Sequence, residues 1–103
     1  MEYQYLENKN KQSLFIKFSG DCDMYSAREF LNEVIAKINE AYYSIHLDFS
    51  DVIYLDSSGV GAIIRIIKYS KEKKIDLKFR GICGTPRKVL KMSNILTLIS
   101  EES

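Results

Sequence analysis

The pattern that most restricts the fold is a helical stripe enclosed by two strand-like runs in the middle of the chain. Apolar and polar side chains alternate in residues 45–49 and again in residues 75–79, as in strands with one buried face. Between them lies an apolar stripe at helical spacing, which predicts a helix that continues to about Lys73: Val60, Ile63, Ile64 and Ile67. A strand, a crossover helix and a second strand predict a βαβ unit with parallel strands.

The first twenty residues predict a β-hairpin. Residues 3–7 and 14–19 each alternate between apolar and polar side chains, and the polar residues 8–11 between them are typical of a turn. Gly20 is expected to close the second strand.

A helix is predicted from about Ser26 to about Glu40, after a loop over residues 21–25. Ser26 and Glu29 have the spacing of a capping box, in which each side chain binds a backbone N–H of the first turn. The apolar residues that follow recur at helical spacing: Ala27, Phe30, Leu31, Val34, Ile35 and Ile38.

A shorter helix is predicted near the end of the chain. Thr85 is expected to cap it, with Pro86 at its first position, where proline is favoured. Asn94 is suited to a left-handed residue at its C-terminal end. Residues 101–103 are expected to be frayed.

Together these elements predict one α/β domain over residues 1–103. The expected sheet is small and mixed, with four or five strands, and helices cover mainly one face because the strands keep a polar side. With 103 residues, of which 46% are hydrophobic and 28% charged, the chain is long and apolar enough for one core.

The composition also excludes some partners and compartments. A formal net charge of +1 argues against direct binding of nucleic acid or of a membrane surface. Cys22 and Cys83 lie far apart and match no CxxC pattern, so they are expected to be reduced structural thiols. Because there is no signal-like N-terminal segment and no apolar run of about 20 residues, we expect a cytoplasmic protein.

The turn between the central strand and helix is the main candidate site. Its residues run Leu55-Asp56-Ser57-Ser58-Gly59-Val60-Gly61. A helix start presents unpaired backbone N–H groups and the positive end of the helix dipole, which favour an anion, including a phosphate on a serine. A plainer interpretation is that Asp56, Ser57 and Ser58 are good turn and N-cap residues and that Gly59 loosens the bend.

Known catalytic patterns do not fit this turn. A G-x-S-x-G nucleophile turn is excluded because Leu55 stands in place of its first glycine, and no Gly-Lys-Ser/Thr of a phosphate-binding loop occurs. The one histidine, His46, is expected on the polar face of a strand, with no reason to reach Ser57. A hydrolytic triad at this turn is therefore not expected.

A second apolar stripe on the central helix allows two interpretations. Ala62, Ile66 and Tyr69 lie well away from the stripe that begins with Val60. They either pack laterally against neighbouring helices or form an exposed patch for a partner, beginning at the same turn as the serines.

Two weaker patterns carry charge. Asp21, Asp23 and Asp56 are candidate Mg²⁺ ligands, but they lack the ordered spacing of a calcium loop, and solvated loop acids are the simpler interpretation.

Residues 81–84 have the GxxG form of an RNA-clamping loop with basic residues nearby, although such loops lie between helices and this one follows a strand.

The chain resembles STAS domains, specifically the bacterial anti-sigma factor antagonists. The resemblance rests on Asp56-Ser57-Ser58-Gly59-Val60-Gly61 and on Gly20-Asp21-Cys22-Asp23 followed by Ser26-Ala27, which is similar to the segment that opens the first helix of that family. The order of elements also matches, and the resemblance covers essentially the whole chain.

The resemblance implies a switch made by phosphorylation. In that family an anti-sigma factor that is also a serine kinase phosphorylates the first serine of the motif, here Ser57. The unphosphorylated protein binds this kinase and releases a sigma factor, and a phosphatase resets the system. Asp23 matches the loop aspartate beside the phosphorylated serine. ATP and Mg²⁺ belong to the partner, so the resemblance implies a chain that is not an enzyme, with no catalytic residues and no cofactor of its own. With Asp23 and Asp56 close by, the added phosphate charge is not expected to be neutralised locally.

Two departures from the family leave partner choice open. Lys73-Lys74-Ile75 and Asn94 stand where the family commonly has glycine after a helix. A non-switching STAS adaptor that binds a protein, a nucleotide or a lipid at the same turn is therefore the alternative function.

Overall fold

The computed structural model describes residues 1–102, which form a four-stranded mixed sheet with the strand order β1-β2-β3-β4. The strands are β1 (Glu2–Asn8), β2 (Ser13–Cys22), β3 (Ser44–Leu55) and β4 (Asp76–Arg80). β1 is antiparallel to β2, whereas β2, β3 and β4 are mutually parallel. The predicted hairpin and the predicted parallel pair are confirmed.

Three helices connect and cover these strands: α1 (Ala27–Ile38), α2 (Ser57–Glu72) and α3 (Gly84–Met92), followed by a single 3₁₀ turn at Leu96–Leu98. α1 links β2 to β3, and α2 links β3 to β4, so the sheet contains two βαβ units in succession. The predicted α/β class is confirmed.

The core lies between the helices and one face of the sheet. In β2, Leu14, Ile16 and Phe18 are buried while Phe15 and Lys17 are half-buried, as alternation requires when one face is covered. Four fully buried phenylalanines join β2, α1, β3 and β4 through edge-to-face contacts with ring centroids 5.0–5.9 Å apart: Phe18, Phe30, Phe49 and Phe79.

β2 does not end at Gly20, as the sequence predicts, but continues to Cys22. Gly20 has φ +102°, and the register with β3 shifts there, so the glycine allows an irregularity within the strand rather than a stop. Beyond it, Asp21 pairs with Tyr54 and Cys22 with Leu55. The extension carries the segment after β2 to the same edge of the sheet as the end of β3.

Two predicted helix starts are also wrong in detail. The Ser26 side chain does not cap α1, because its hydroxyl is already used within the preceding turn, where it donates to the Asp21 carbonyl at 2.7 Å. α3 begins at Gly84 after Cys83, so Thr85 and Pro86 occupy its second and third positions. Proline is tolerated there because N–H groups of the first turn have no partner within the helix.

The C-terminal segment pairs with the sheet edge, contrary to the predicted frayed end. The backbone N–H of Phe79 donates to Ser100 at 2.8 Å, and that of Glu102 donates to Phe79 at 2.8 Å. Arg87 binds the Glu101 carboxylate at 2.7 Å, and Glu102 contacts His46. Ser103 lies outside the described residues.

Left-handed residues end two of the helices. Lys74, which follows α2, has φ +58°, and Asn94, which follows α3, has φ +60°, as predicted for Asn94. Left-handed positions favour glycine and then asparagine, so Lys74 is the more strained of the two.

Charge is unevenly distributed over the fold. Ten of the 15 Lys and Arg residues, but only two of the 14 Asp and Glu residues, lie in residues 65–91. These residues form the second half of α2, all of β4 and most of α3, so basic charge is concentrated on this side of the fold. No helix among residues 1–102 is both long and apolar enough to cross a membrane.

Candidate functional site

Asp56 shapes the turn between β3 and α2. Its backbone is extended (φ −114°, ψ −171°), and its Oδ1 accepts hydrogen bonds from the backbone N–H groups of Ser58 at 2.9 Å and Gly59 at 3.2 Å. This N-cap satisfies two of the N–H groups that a helix start leaves unpaired. The carboxylate therefore faces its own backbone.

Gly59 lets α2 begin directly against the end of β2. A Cβ at this position would lie 2.4 Å from Leu55 Cδ1 and 2.7 Å from the Cys22 carbonyl oxygen. The same carbonyl accepts a hydrogen bond from the Asp56 N–H at 3.3 Å. A side chain at position 59 would therefore push the helix away from the strand.

The Cys22 thiol is held beneath this turn. Burial raises its pKa to about 12, and the charges of Asp56 and Asp23 add to the shift. The thiol is therefore protonated at neutral pH and is a poor nucleophile.

Ser57 and Ser58 are exposed at the first two positions of α2. Within residues 1–102, neither hydroxyl makes a hydrogen bond. Both hydroxyls are therefore accessible to a modifying enzyme or to a partner.

Asp23 orders the loop before α1. Its Oδ1 accepts hydrogen bonds from the backbone N–H groups of Tyr25 at 2.9 Å and Ser26 at 3.1 Å. These bonds, that of Tyr25 first, hold the pKa of the Asp23 carboxyl below its usual value. Because β2 and β3 end side by side, this loop lies at the same edge of the sheet as the serines.

The second stripe of α2 is not an exposed patch. Ile66 has no exposed surface, and Ala62 is only 5% exposed. Tyr69 is half-buried and donates its hydroxyl to Asn39 Oδ1, just after α1, at 2.7 Å. The stripe packs laterally because α1 and α2 lie against each other, so Ile66 offers no side-chain surface to a partner.

A groove of about 480 Å³ opens between the first halves of α1 and α2. It is lined from α1 by Ala27, Arg28, Leu31, Asn32 and Ile35, and from α2 by Ser57, Ser58, Gly61, Ala62 and Arg65. The lining contains two arginines and no carboxylate, so the groove is cationic beside the serines.

Sequence reasoning missed both arginines. Arg65 follows Ser57 by eight residues and Gly61 by four. Helical spacing could therefore have predicted that Arg65 lies on the same face of α2 as Ser57. The position of Arg28 could not be predicted in this way, because only the packing of α1 on α2 brings Arg28 to the groove. The sequence also did not predict the exposure of Met24 and Tyr25 beside Asp23, which are 67% and 86% exposed.

The acidic residues of the site do not make a metal centre. Within residues 1–102, no three His, Cys, Asp or Glu side chains are grouped as a metal site requires. Asp23 and Asp56 instead accept hydrogen bonds from backbone N–H groups.

The fold and this turn define a known class of domain. The STAS domain family model matches residues 5–102, and the chain belongs to this family. It is similar to the anti-sigma-B factor antagonist of Staphylococcus epidermidis, with 24% identity over 65% of this chain and 62% of that protein. The anti-sigma-B factor antagonist of Bacillus subtilis is 27% identical over 72% of this chain and 67% of that protein.

Among solved structures, the fold is similar to that of the anti-sigma factor antagonist SpoIIAA of Bacillus. The unphosphorylated form matches with a TM-score of 0.77 and 18% identity, covering 99% of this chain and 89% of that chain. The phosphorylated form matches with a TM-score of 0.71 and 19% identity, covering 99% and 92%.

Proposed function

We propose that this chain is an anti-sigma factor antagonist controlled by phosphorylation of Ser57. In this proposal the unphosphorylated protein binds an anti-sigma factor with serine kinase activity and thereby releases a sigma factor in the cytoplasm. A phosphoserine phosphatase reverses the modification. The chain is the substrate and ligand of these enzymes, and has no catalytic residues of its own.

The exposed hydroxyl of Ser57 at the start of α2 is the observation that carries the proposal. A helix start favours an attached phosphate, and Asp56 already fixes the backbone around it. The relatives named as anti-sigma-B factor antagonists, and a neighbour solved in unphosphorylated and phosphorylated forms, support the same assignment. Asp23, Asp56, Ser58, Gly59 and the groove at Ala62 are proposed to border the contact with the partner.

The free energy that such a switch needs is small. A phosphate adds about −1.5 to −2 charges at neutral pH. A 100-fold loss of affinity corresponds to about 2.7 kcal/mol, which the added bulk and charge of one phosphate at an interface can supply.

The test is capture of partners from lysate of the native organism with four baits: wild type, Ser57→Ala, Ser57→Asp and Ser58→Asp. Wild type and Ser57→Ala are expected to retain a protein with an ATPase-type kinase fold, identified by mass spectrometry. Ser57→Asp is expected to retain it about 100-fold less, corresponding to about 2.7 kcal/mol. Ser58→Asp adds the same charge one residue away within the proposed contact, and it is expected to reduce capture less than Ser57→Asp does.

The same experiment identifies the alternatives. Equal capture by all four baits would refute the switch and favour a non-switching adaptor. Loss only with Ser58→Asp would move the modification to Ser58, which phosphopeptide mapping after incubation with ATP and the captured kinase would then locate.

A further inference from the structure

We propose that Arg28 and Arg65 form an intramolecular receptor for a phosphate on Ser57, so that the phosphorylated chain binds its own phosphate in the groove between α1 and α2. This inference rests on the proposed function, because it concerns what the phosphate contacts once it has been added. Arg28 and Arg65 would then take part in the switch by binding the phosphate on Ser57.

The groove joins all three residues in one surface. Ser57, Arg28 and Arg65 line the same space of about 480 Å³, and no carboxylate is among its lining residues. The two acids of the site, Asp23 and Asp56, accept hydrogen bonds from backbone N–H groups in their own turns. A phosphate that enters the groove therefore meets two guanidinium groups and no competing anion in the lining.

Neither arginine has another partner that would explain its position. Within residues 1–102, no carboxylate lies within ion-pair distance of either guanidinium group, whereas Arg87 is paired with Glu101. Arg28 is moreover the second residue of α1, where the helix dipole disfavours a cation. An anion in the groove would offset that cost.

Gly61 opens the path between Arg65 and Ser57. The three residues are four apart, so they lie on one face of α2, and about 12 Å of helix separates Arg65 from Ser57. Side chains of a helix lean toward its N-terminus, so an extended Arg65 can pass over Gly61 toward the serine. A Cβ on Gly61 would have no neighbour within 4 Å, so nothing blocks that path at Gly61.

Guanidinium groups suit this role. Arginine presents several N–H donors in a planar fork that matches phosphate oxygens, and two of them can neutralise the dianion. In this proposal the two arginines neutralise the phosphate charge locally. The sequence instead led us to expect that this charge would remain unneutralised beside Asp23 and Asp56.

The test uses protein in which phosphoserine is installed at position 57 by genetic code expansion, so that no kinase is needed. The phosphate is titrated by ³¹P NMR in four backgrounds: wild type, Arg28→Gln, Arg65→Gln and Lys11→Gln. Lys11 is exposed at the far end of β2, so its variant removes the same charge away from the groove. All three replaced side chains are exposed, and ¹H–¹⁵N spectra check that each variant is folded.

The second ionisation of a phosphoserine ordinarily has a pKa of about 6. Cations beside the dianion favour it, so the wild-type midpoint is expected at or below about pH 5.5. Arg28→Gln and Arg65→Gln are each expected to raise it by about 0.3 or more, and Lys11→Gln to leave it unchanged. An equal midpoint in all four backgrounds would overturn the receptor, even if it is low, because the helix start alone would then be responsible.

The outcome is independent of partner capture. Failure of this titration would leave the proposed phosphorylation switch standing with an exposed phosphate. Failure of the capture experiment would instead remove the regulatory role and leave the measured phosphate contact as a property of the groove.

Discussion

Gly59 and Gly61 are both glycines near the start of α2, but Gly59 is tightly packed and Gly61 has free space beside it. Gly59 lies against Leu55 and the Cys22 backbone, whereas Gly61 faces the open groove. The sequence shows two glycines in one motif, but only the close approach of the start of α2 to the end of β2 shows that position 59 requires glycine and position 61 does not.

Alanine at these two positions is therefore expected to have effects of opposite sign. Gly59→Ala overpacks a contact with backbone and should lower the free energy of unfolding by about 1–3 kcal/mol. Gly61→Ala meets nothing and removes glycine from a helix interior, so it should raise the free energy of unfolding by about 0.5–1 kcal/mol. Urea denaturation of the two variants measures both; a stabilising Gly59→Ala would contradict the close approach of α2 to β2.

At the scale of whole elements, hydrophobic periodicity predicted most of the fold correctly. All four strands and the three helices lie where the alternation and the helical stripes place them. The errors occur at ends, where one hydrogen bond decides the boundary. Ser26 fits a capping box in sequence, yet its hydroxyl binds the Asp21 carbonyl instead.

Only the part of the candidate site that is local in sequence could be predicted. The turn with Asp56 and the serines is local in sequence, so its motif and spacing indicated it. The groove is not local, because Arg28 reaches it only through the packing of α1 on α2. Ala62 and Ile66 were ambiguous in sequence because lateral packing and a free surface produce the same apolar spacing.

The end of α2 offers a prediction at this scale. Lys74 ends the helix with φ +58°, a conformation that costs a residue with a Cβ about 1–2 kcal/mol. Lys74→Gly removes that cost but adds unfolded-state entropy, so we expect a net stabilisation of about 0.5–1 kcal/mol.

Lys73→Gly is the matched control, because Lys73 has φ −88° and gains nothing from glycine. Thermal and urea unfolding should rank Lys74→Gly above wild type and Lys73→Gly below it. The reverse order would show that the left-handed turn after α2 is not formed in solution.

For the molecule as a whole, the net charge of +1 conceals a strong asymmetry. Most of the basic residues lie on α2, β4 and α3, and most of the acidic ones elsewhere. The electrostatic field of the molecule is therefore weak only at a distance, since the basic side dominates within about 10 Å of the surface at moderate salt.

This asymmetry is testable by ion exchange at the isoelectric point of about 7.7. Although its net charge is then zero, the protein is expected to bind a cation exchanger through its basic side. The double variant Lys88→Glu/Lys91→Glu should elute at lower salt than Lys9→Glu/Lys11→Glu, which changes the charge equally in the β1–β2 turn. Co-elution of the two variants would indicate that the charge is effectively uniform.

The turn between β3 and α2 is held by two sets of hydrogen bonds, and this affects how quickly its serine can be modified. Asp56 holds the start of α2 from within, and the Cys22 carbonyl holds it from β2, while the Ser57 hydroxyl stays outside both contacts. No hydrogen bond of the turn has to break before a group is added to or removed from that hydroxyl. If Ser57 is modified as proposed, the turn does not have to rearrange first, and the rate of the switch is expected to be that of the modifying enzyme.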